Sequence, residues 1–229
     1  MATNQQAVFK PEIFHFFREL ARNNNKPWMD ENRDRYRSAV VEPFRVLLDR
    51  LTPFALKLNP RFVVGGRVGQ NFSRINRDVR FARDKSPYRP QMYLFFAEPG
   101  EGGQLYVGFS AEGVTCGFRA YRQSRTSPLA MLARDRAQTQ PDFVDKLSRK
   151  FSGKYESYWY ASEKGDWTKR AGWPSAPENW KKLQGWIVRK KLAKSTATRP
   201  GFEREIERAF REVYPIYAFT TSPHWNSSR

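Results

Sequence analysis

The sequence predicts an α+β protein, a single domain over residues 1–229 with an antiparallel β-meander packed against N-terminal and C-terminal helices. Three observations predict it. Apolar residues recur at helical spacing near both ends, three strand-length runs separated by glycine turns lie between them, and no internal repeat, low-complexity tract or linker divides the chain. A chain of 229 residues is long enough to bury a real core without covalent staples.

Phe9, Ile13, Phe16, Phe17 and Leu20 form one helical stripe, with Pro11 in the first turn and Asn23-Asn24-Asn25 ending the helix. A second helix is expected from Pro27 to Pro43, with Asp30 and Glu31 near its positive end. A third is expected from Pro43, with Phe44, Leu47, Leu48 and Leu51 inward. Phe62-Val63-Val64 before Gly65-Gly66 reads as a short strand. Residues 91–98, 104–111 and 114–121 read as the meander, turned at 99–103 and at Glu112-Gly113. Helices are expected at 128–136 and 141–151, an aromatic strand-like run at 155–160, irregular chain at 163–180, a strand at 186–188 and a last helix at 200–213.

The composition excludes several classes. One Cys rules out an intramolecular disulfide framework and any multi-cysteine zinc site, and Cys116 reads as a small buried hydrophobe. Two His, no Walker loop and no Gly-x-Ser-x-Gly elbow leave no motif for a metal or cofactor, so neither is expected. His15 lies off the apolar stripe, and His224 reads as a tail residue. With no signal-peptide pattern at the start and no run of about 20 apolar residues, the expectation is a cytoplasmic protein that does not cross a membrane.

The formal net charge is +18, and three segments carry the excess: +6 in residues 61–90, +5 in 119–150 and +7 in 181–199. Clustered charge of this kind points to an anionic partner. The run 181–199 has no acid and includes Trp186, with Trp180 just before it, as a surface for nucleic-acid backbone would. It reads equally well as a solvated face.

Residues 74–89 form the unusual stretch, with Arg74, Arg77, Arg80, Arg83, Lys85 and Arg89 set among Asp78, Asp84 and apolar residues. At strand spacing Arg74, Asn76, Asp78 and Arg80 would share one face, with Ile75, Arg77, Val79 and Phe81 on the other. Asp84-Lys85-Ser86-Pro87 reads as a turn, with Ser86 extended before Pro87. The run Arg77-Asp78-x-Arg80-Phe81-x-x-Asp84-Lys85-Ser86-Pro87-Tyr88-Arg89 resembles the hallmark of the bacterial and fungal family known as domain of unknown function 2461. The upstream Asn24-Asn25-Lys26-Pro27-Trp28, followed by Tyr36 and Pro43, is similar to the same family. The resemblance covers residues 9–122 well and the rest loosely. Arg89 stands where the family usually has Lys, and Gly113 to Arg119 only approximates its Gly-rich strand. It implies a family-like core over about 9–215 with residues 216–229 as a tail, and a shared site without an activity.

Three functions compete for the motif. In the first, arginines and aspartates form a buried ion-pair network that locks helices to sheet. In the second, Arg74, Arg77, Arg80, Lys85 and Arg89, with Asp84 among them, line a cleft that holds a phosphate-bearing or other anionic ligand. Trp28 or Tyr88 would then stack a base or ring, and nucleic acid is the leading ligand class. In the third, Asp78 or Asp84 is a general base or metal ligand, with Lys85 stabilising charge in an enzyme acting on an anionic substrate. Binding of an anionic ligand is the first choice.

Overall fold

A computed structural model describes residues 6–100, 102–121, 128–163 and 166–221. The α+β expectation holds. Helices flank a six-stranded antiparallel sheet of order β1-β2-β3-β6-β4-β5. The strands are β1 (Gln91–Phe96), β2 (Gly103–Ser110), β3 (Gly113–Tyr121), β4 (Glu156–Glu163), β5 (Asp166–Ala171) and β6 (Leu183–Leu192). No helix among the described residues is long and apolar enough to cross a membrane.

Two compact units can be told apart. The first comprises Met1–Phe96, Val107–Thr115 and Lys191–Arg208. Here α1 (Glu12–Arg22) buries the expected stripe, including Ile13, Phe16, Phe17 and Leu20. Phe9 meets Phe109 at 4.2 Å between ring centroids and Phe44 edge-on at 5.5 Å. Each such buried side chain contributes about 1.5–3 kcal/mol. The next helix does not break at Pro43. After α2 (Lys26–Glu31) and α3 (Arg33–Tyr36), one π-helical turn (Arg37–Val41) leads directly into α4 (Glu42–Leu58). Glu42 N–H reaches back five residues to the Arg37 carbonyl, so the register shifts just before a proline that has no N–H to give. The Asn25 side chain accepts the Trp28 N–H at 3.0 Å and starts α2.

The second unit comprises Ala97–Tyr106, Cys116–Lys190 and Ala209–Arg229. Its described helices are α5 (Pro128–Thr139), α6 (Pro141–Phe151), α7 (Pro177–Lys182) and the latter part of α9 (Phe202–Thr221). The short α8 (Lys194–Ala197) belongs to the first unit. Residues 216–221, expected as tail, are the last turns of α9, where Ile216, Tyr217 and Phe219 are fully buried. The stretch 163–180, expected to be irregular, holds β5 and α7. Its Trp, Pro and Gly content hid a hairpin whose register pairs Tyr158 with Ala171 and Tyr160 with Lys169. Trp180 and Trp186 stand edge to face at 5.4 Å and are buried with Phe118 and Cys116. They belong to the core and cannot flank a nucleic-acid surface. Gly117 sits at φ +156°, and a Cβ there would lie 2.1 Å from the Val188 carbonyl oxygen. Only glycine lets these backbones approach.

The expected strand at Phe62-Val63-Val64 is absent. Residues 59–90 run with only isolated bridges. The buried Asn71 substitutes for a ladder there. Its Nδ2 donates to the carbonyls of Val63 (2.7 Å) and Phe95 (3.1 Å), while its Oδ1 accepts the Gly66 N–H (3.0 Å). The segment also covers the sheet edge, since Ser73 N–H donates to the Tyr93 carbonyl and Ser73 Oγ accepts the Tyr93 N–H, both at 3.0 Å. Replacing Asn71 by Ala leaves three backbone groups without their partner, each worth about 1–3 kcal/mol when buried. The expected outcome in urea unfolding is a loss of about 3 kcal/mol or more, and a loss below 1 kcal/mol would show that Asn71 does not hold the segment.

Candidate anion-binding site

The motif 74–89 is not a strand with two faces. It is a loop with a tied base and a tied interior. At the base Asn76 and Tyr88 form a bridge, Arg77 N–H donates to the Pro87 carbonyl and Arg89 N–H to the Ile75 carbonyl, both at 2.8 Å. Pro87 fits because only its carbonyl is used. Asn24 clamps the base from the helical layer: its Nδ2 donates to the Tyr88 carbonyl and its Oδ1 accepts the Tyr88 N–H, each at 2.9 Å. The two sequence motifs that carry the family resemblance are thus one structural joint.

Inside the loop Arg77, Asp78, Arg80, Asp84 and Lys85 each have a local partner. Asp78 accepts the Arg80 backbone N–H and grips the Arg80 guanidinium with both oxygens, at 3.0 and 2.6 Å. Asp84 accepts the Ser86 N–H at 2.9 Å and pairs with Arg77. Lys85 Nζ donates to the carbonyls of Val79 (3.1 Å) and Arg80 (3.3 Å). The Ser86 side chain and N–H, followed by Arg77, hold the Asp84 carboxyl well below the usual carboxylate range. Arg80 does the same for Asp78 and is itself raised by it.

The expectation of a buried ion-pair network is corrected here. The Asp78 and Asp84 side chains are 61% and 63% exposed, and both pairs lie within the loop rather than between helix and sheet. Surface pairs of this kind contribute little to global stability, and their effect is to fix shape. The general-base role has no support in this geometry, because a base working near neutrality needs a carboxylate pushed up and these are pushed down. Lys85 directs its ammonium at carbonyls. Among the described residues no group of three His, Cys, Asp or Glu could hold a metal ion.

The aromatic candidates are largely enclosed. Tyr88 is buried and is used through its backbone, while half-buried Trp28 packs on Phe16 at 5.6 Å. The exposed Arg74, Arg83 and Arg89 make no ion pair or hydrogen bond through their side chains among the described residues. The run 181–199 is partly engaged: Arg189 pairs with Glu156 at 3.1 Å and lies over Tyr158, and Lys194 lies over Phe14. His224 falls outside the described residues.

A cavity of about 430 Å³ opens at the foot of the loop. Arg74, Ile75 and Asn76 line it from the loop, Arg45 from α4, and Tyr36, Val68, Phe72 and Met92 complete its wall. Arg45 was not singled out in the sequence, and like Arg74 it has no partner among the described residues. A basic residue on the solvent side of an amphipathic helix carries no signal by itself. Burial pushes the Tyr36 phenol up to about 12, so it remains a protonated donor at neutral pH. Two guanidinium groups, a phenol, Ser73 and Asn76 around an apolar floor can hold an anion bearing an apolar body.

The depressed carboxylates set a pH window for the loop. A carboxylate whose folded pKa is lowered stabilises the fold fully above its unfolded value of about 4 and loses that contribution only as pH falls through the lower folded value. The Arg80 and Ser86 amides, bonded to Asp78 and Asp84, are therefore expected to stay protected from exchange at pH 4 and to open in stronger acid. Opening above pH 5 would contradict the pairing. Asn24→Ala removes two hydrogen bonds, worth about 1 kcal/mol each. It is expected to speed tryptic cleavage after Arg80 and Arg83 well before the core unfolds.

Comparison with curated proteins gives no match. Residues 12–219 match the family described as Conserved hypothetical protein (DUF2461), and the chain, with its Asn24 clamp and tied loop, belongs to that family.

Proposed function

We propose that the chain binds an organic anion, its phosphate or carboxylate held between Arg45 and Arg74 and its apolar part resting on Val41, Val68, Phe72 and Met92. One observation carries this reading: two guanidinium groups without a counter-ion among the described residues line the same cavity. Elsewhere in the motif Arg77 and Arg80 have carboxylates of their own, so the ligand is assigned to the positions that do not. The volume, about 430 Å³, lies in the range of small-molecule pockets, which run from about 300 to 1,000 Å³. Phosphate attracts guanidinium through paired N–H donors in a fixed fork, and each charged hydrogen bond contributes about 1.5–3 kcal/mol.

The test is calorimetric titration with inorganic phosphate, phenyl phosphate and benzoate. Phenyl phosphate is expected to bind more tightly than inorganic phosphate, because the floor is apolar. Arg45→Ala and Arg74→Ala are each expected to weaken it by about tenfold or more, whereas Arg83→Ala, outside the cavity, changes it little. Binding that ignores Arg45 and Arg74, or no binding of any of the three anions, would sink the assignment.

A further inference from the structure

We infer that the tied loop 77–87 presents Phe81 as a base-stacking residue for single-stranded nucleic acid. Phe81 is 96% exposed. A single exposed apolar residue needs no explanation by itself, but this one stands at the tip of a loop whose shape is fixed from within. Asp78 holds Arg80 before it, Lys85 ties the Val79 and Arg80 carbonyls, and Asp84 with Arg77 closes the far side. A loop ordered before contact loses less conformational entropy when it binds, so the ring is offered at low cost.

The surroundings of the ring select the partner. Residues 74–89 carry six basic and two acidic side chains, which calls for an anionic surface. The Arg80 guanidinium lies 5.9 Å from the Phe81 ring centroid, and its Nε/Nη2 edge is held by both oxygens of Asp78. It is therefore a planar, oriented group beside a planar ring, and both can stack on bases. Exposed Arg83 and Arg89, without partners among the described residues, remain for phosphates. An anionic bilayer fits less well. Interfacial binding scales with buried apolar area, and this tip offers one large apolar side chain. A membrane would also gain nothing from a guanidinium locked in orientation.

This inference is independent of the cavity. Fluorescence anisotropy with a labelled oligodeoxythymidylate of about 20 nucleotides, at about 50 and 200 mM salt, tests it in the full chain. Binding is expected at the lower salt and should weaken steeply at the higher. Phe81→Ala should weaken it about tenfold or more, Phe81→Trp should keep it, and neither should move the melting temperature, since the ring packs on little. The dependence on Phe81 should persist in Arg45→Ala and Arg74→Ala, which separates its failure from that of the cavity reading. Three results would overturn it: no binding at the lower salt, equal binding by Phe81→Ala, or Phe81-dependent cosedimentation with phosphatidylserine vesicles in place of oligonucleotide binding.

Discussion

Residues 59–90 connect α4 to the edge strand β1 without a regular ladder, and the polar groups of that backbone must find partners elsewhere. Side chains supply them. Asn71 serves three backbone groups near the sheet edge, and Asn24 serves both polar groups of Tyr88. Asp78 and Asp84 each accept an N–H two residues ahead, and Lys85 serves two carbonyls. The rest of the region depends on this substitution of side chain for strand. It positions Arg74 on the cavity wall and exposes Phe81 at the tip.

The same substitution explains which features were legible in the sequence. The stripe from Phe9 to Leu20 and the meander at 91–121 could be read because their periods follow from helix and sheet geometry. The π turn at Arg37–Val41 has no period of its own, and a proline at position 43 looks like a helix start whether or not the helix is already running. Phe62-Val63-Val64 has strand composition, but the Val63 carbonyl accepts from the Asn71 side chain and the Phe62 N–H donates to the Asn59 carbonyl, an arrangement that local sequence does not encode. Trp180 and Trp186 looked like a surface pair beside lysines. The alternation of β6 puts Trp186 inward while Arg189 faces Glu156, so neighbours in sequence serve opposite sides.

The geometry of the motif was legible only in part. Asp84-Lys85-Ser86-Pro87 reads as a turn from its residues, whereas the strand spacing before it suggested two faces where the Asp78 carboxylate in fact reaches its own backbone two residues on. Once that local bonding is counted, Asp78 and Asp84 each have an arginine partner and a backbone N–H of their own. Arg45, the other arginine lining the cavity, comes from a helix about thirty residues upstream and reaches the same cavity as Arg74 only through the fold.

The charge divides along the same line. A cation held in an ion pair has a fixed direction and a local counter-ion, whereas an unpaired cation keeps its field and its donors for a partner. Arg77 and Arg80 are of the first kind, and Arg45, Arg74, Arg83 and Arg89 are of the second among the described residues. Removing a paired arginine would therefore act on ligand binding indirectly, by letting the loop lose shape, and would also release an aspartate to repel an anion. Removing an unpaired one would act on binding directly and leave the loop as it is. The two aspartates of the motif thus fix the interior of the loop around Arg77, Arg80 and Ser86, while Arg74, Arg83 and Arg89 keep their donors free among the described residues.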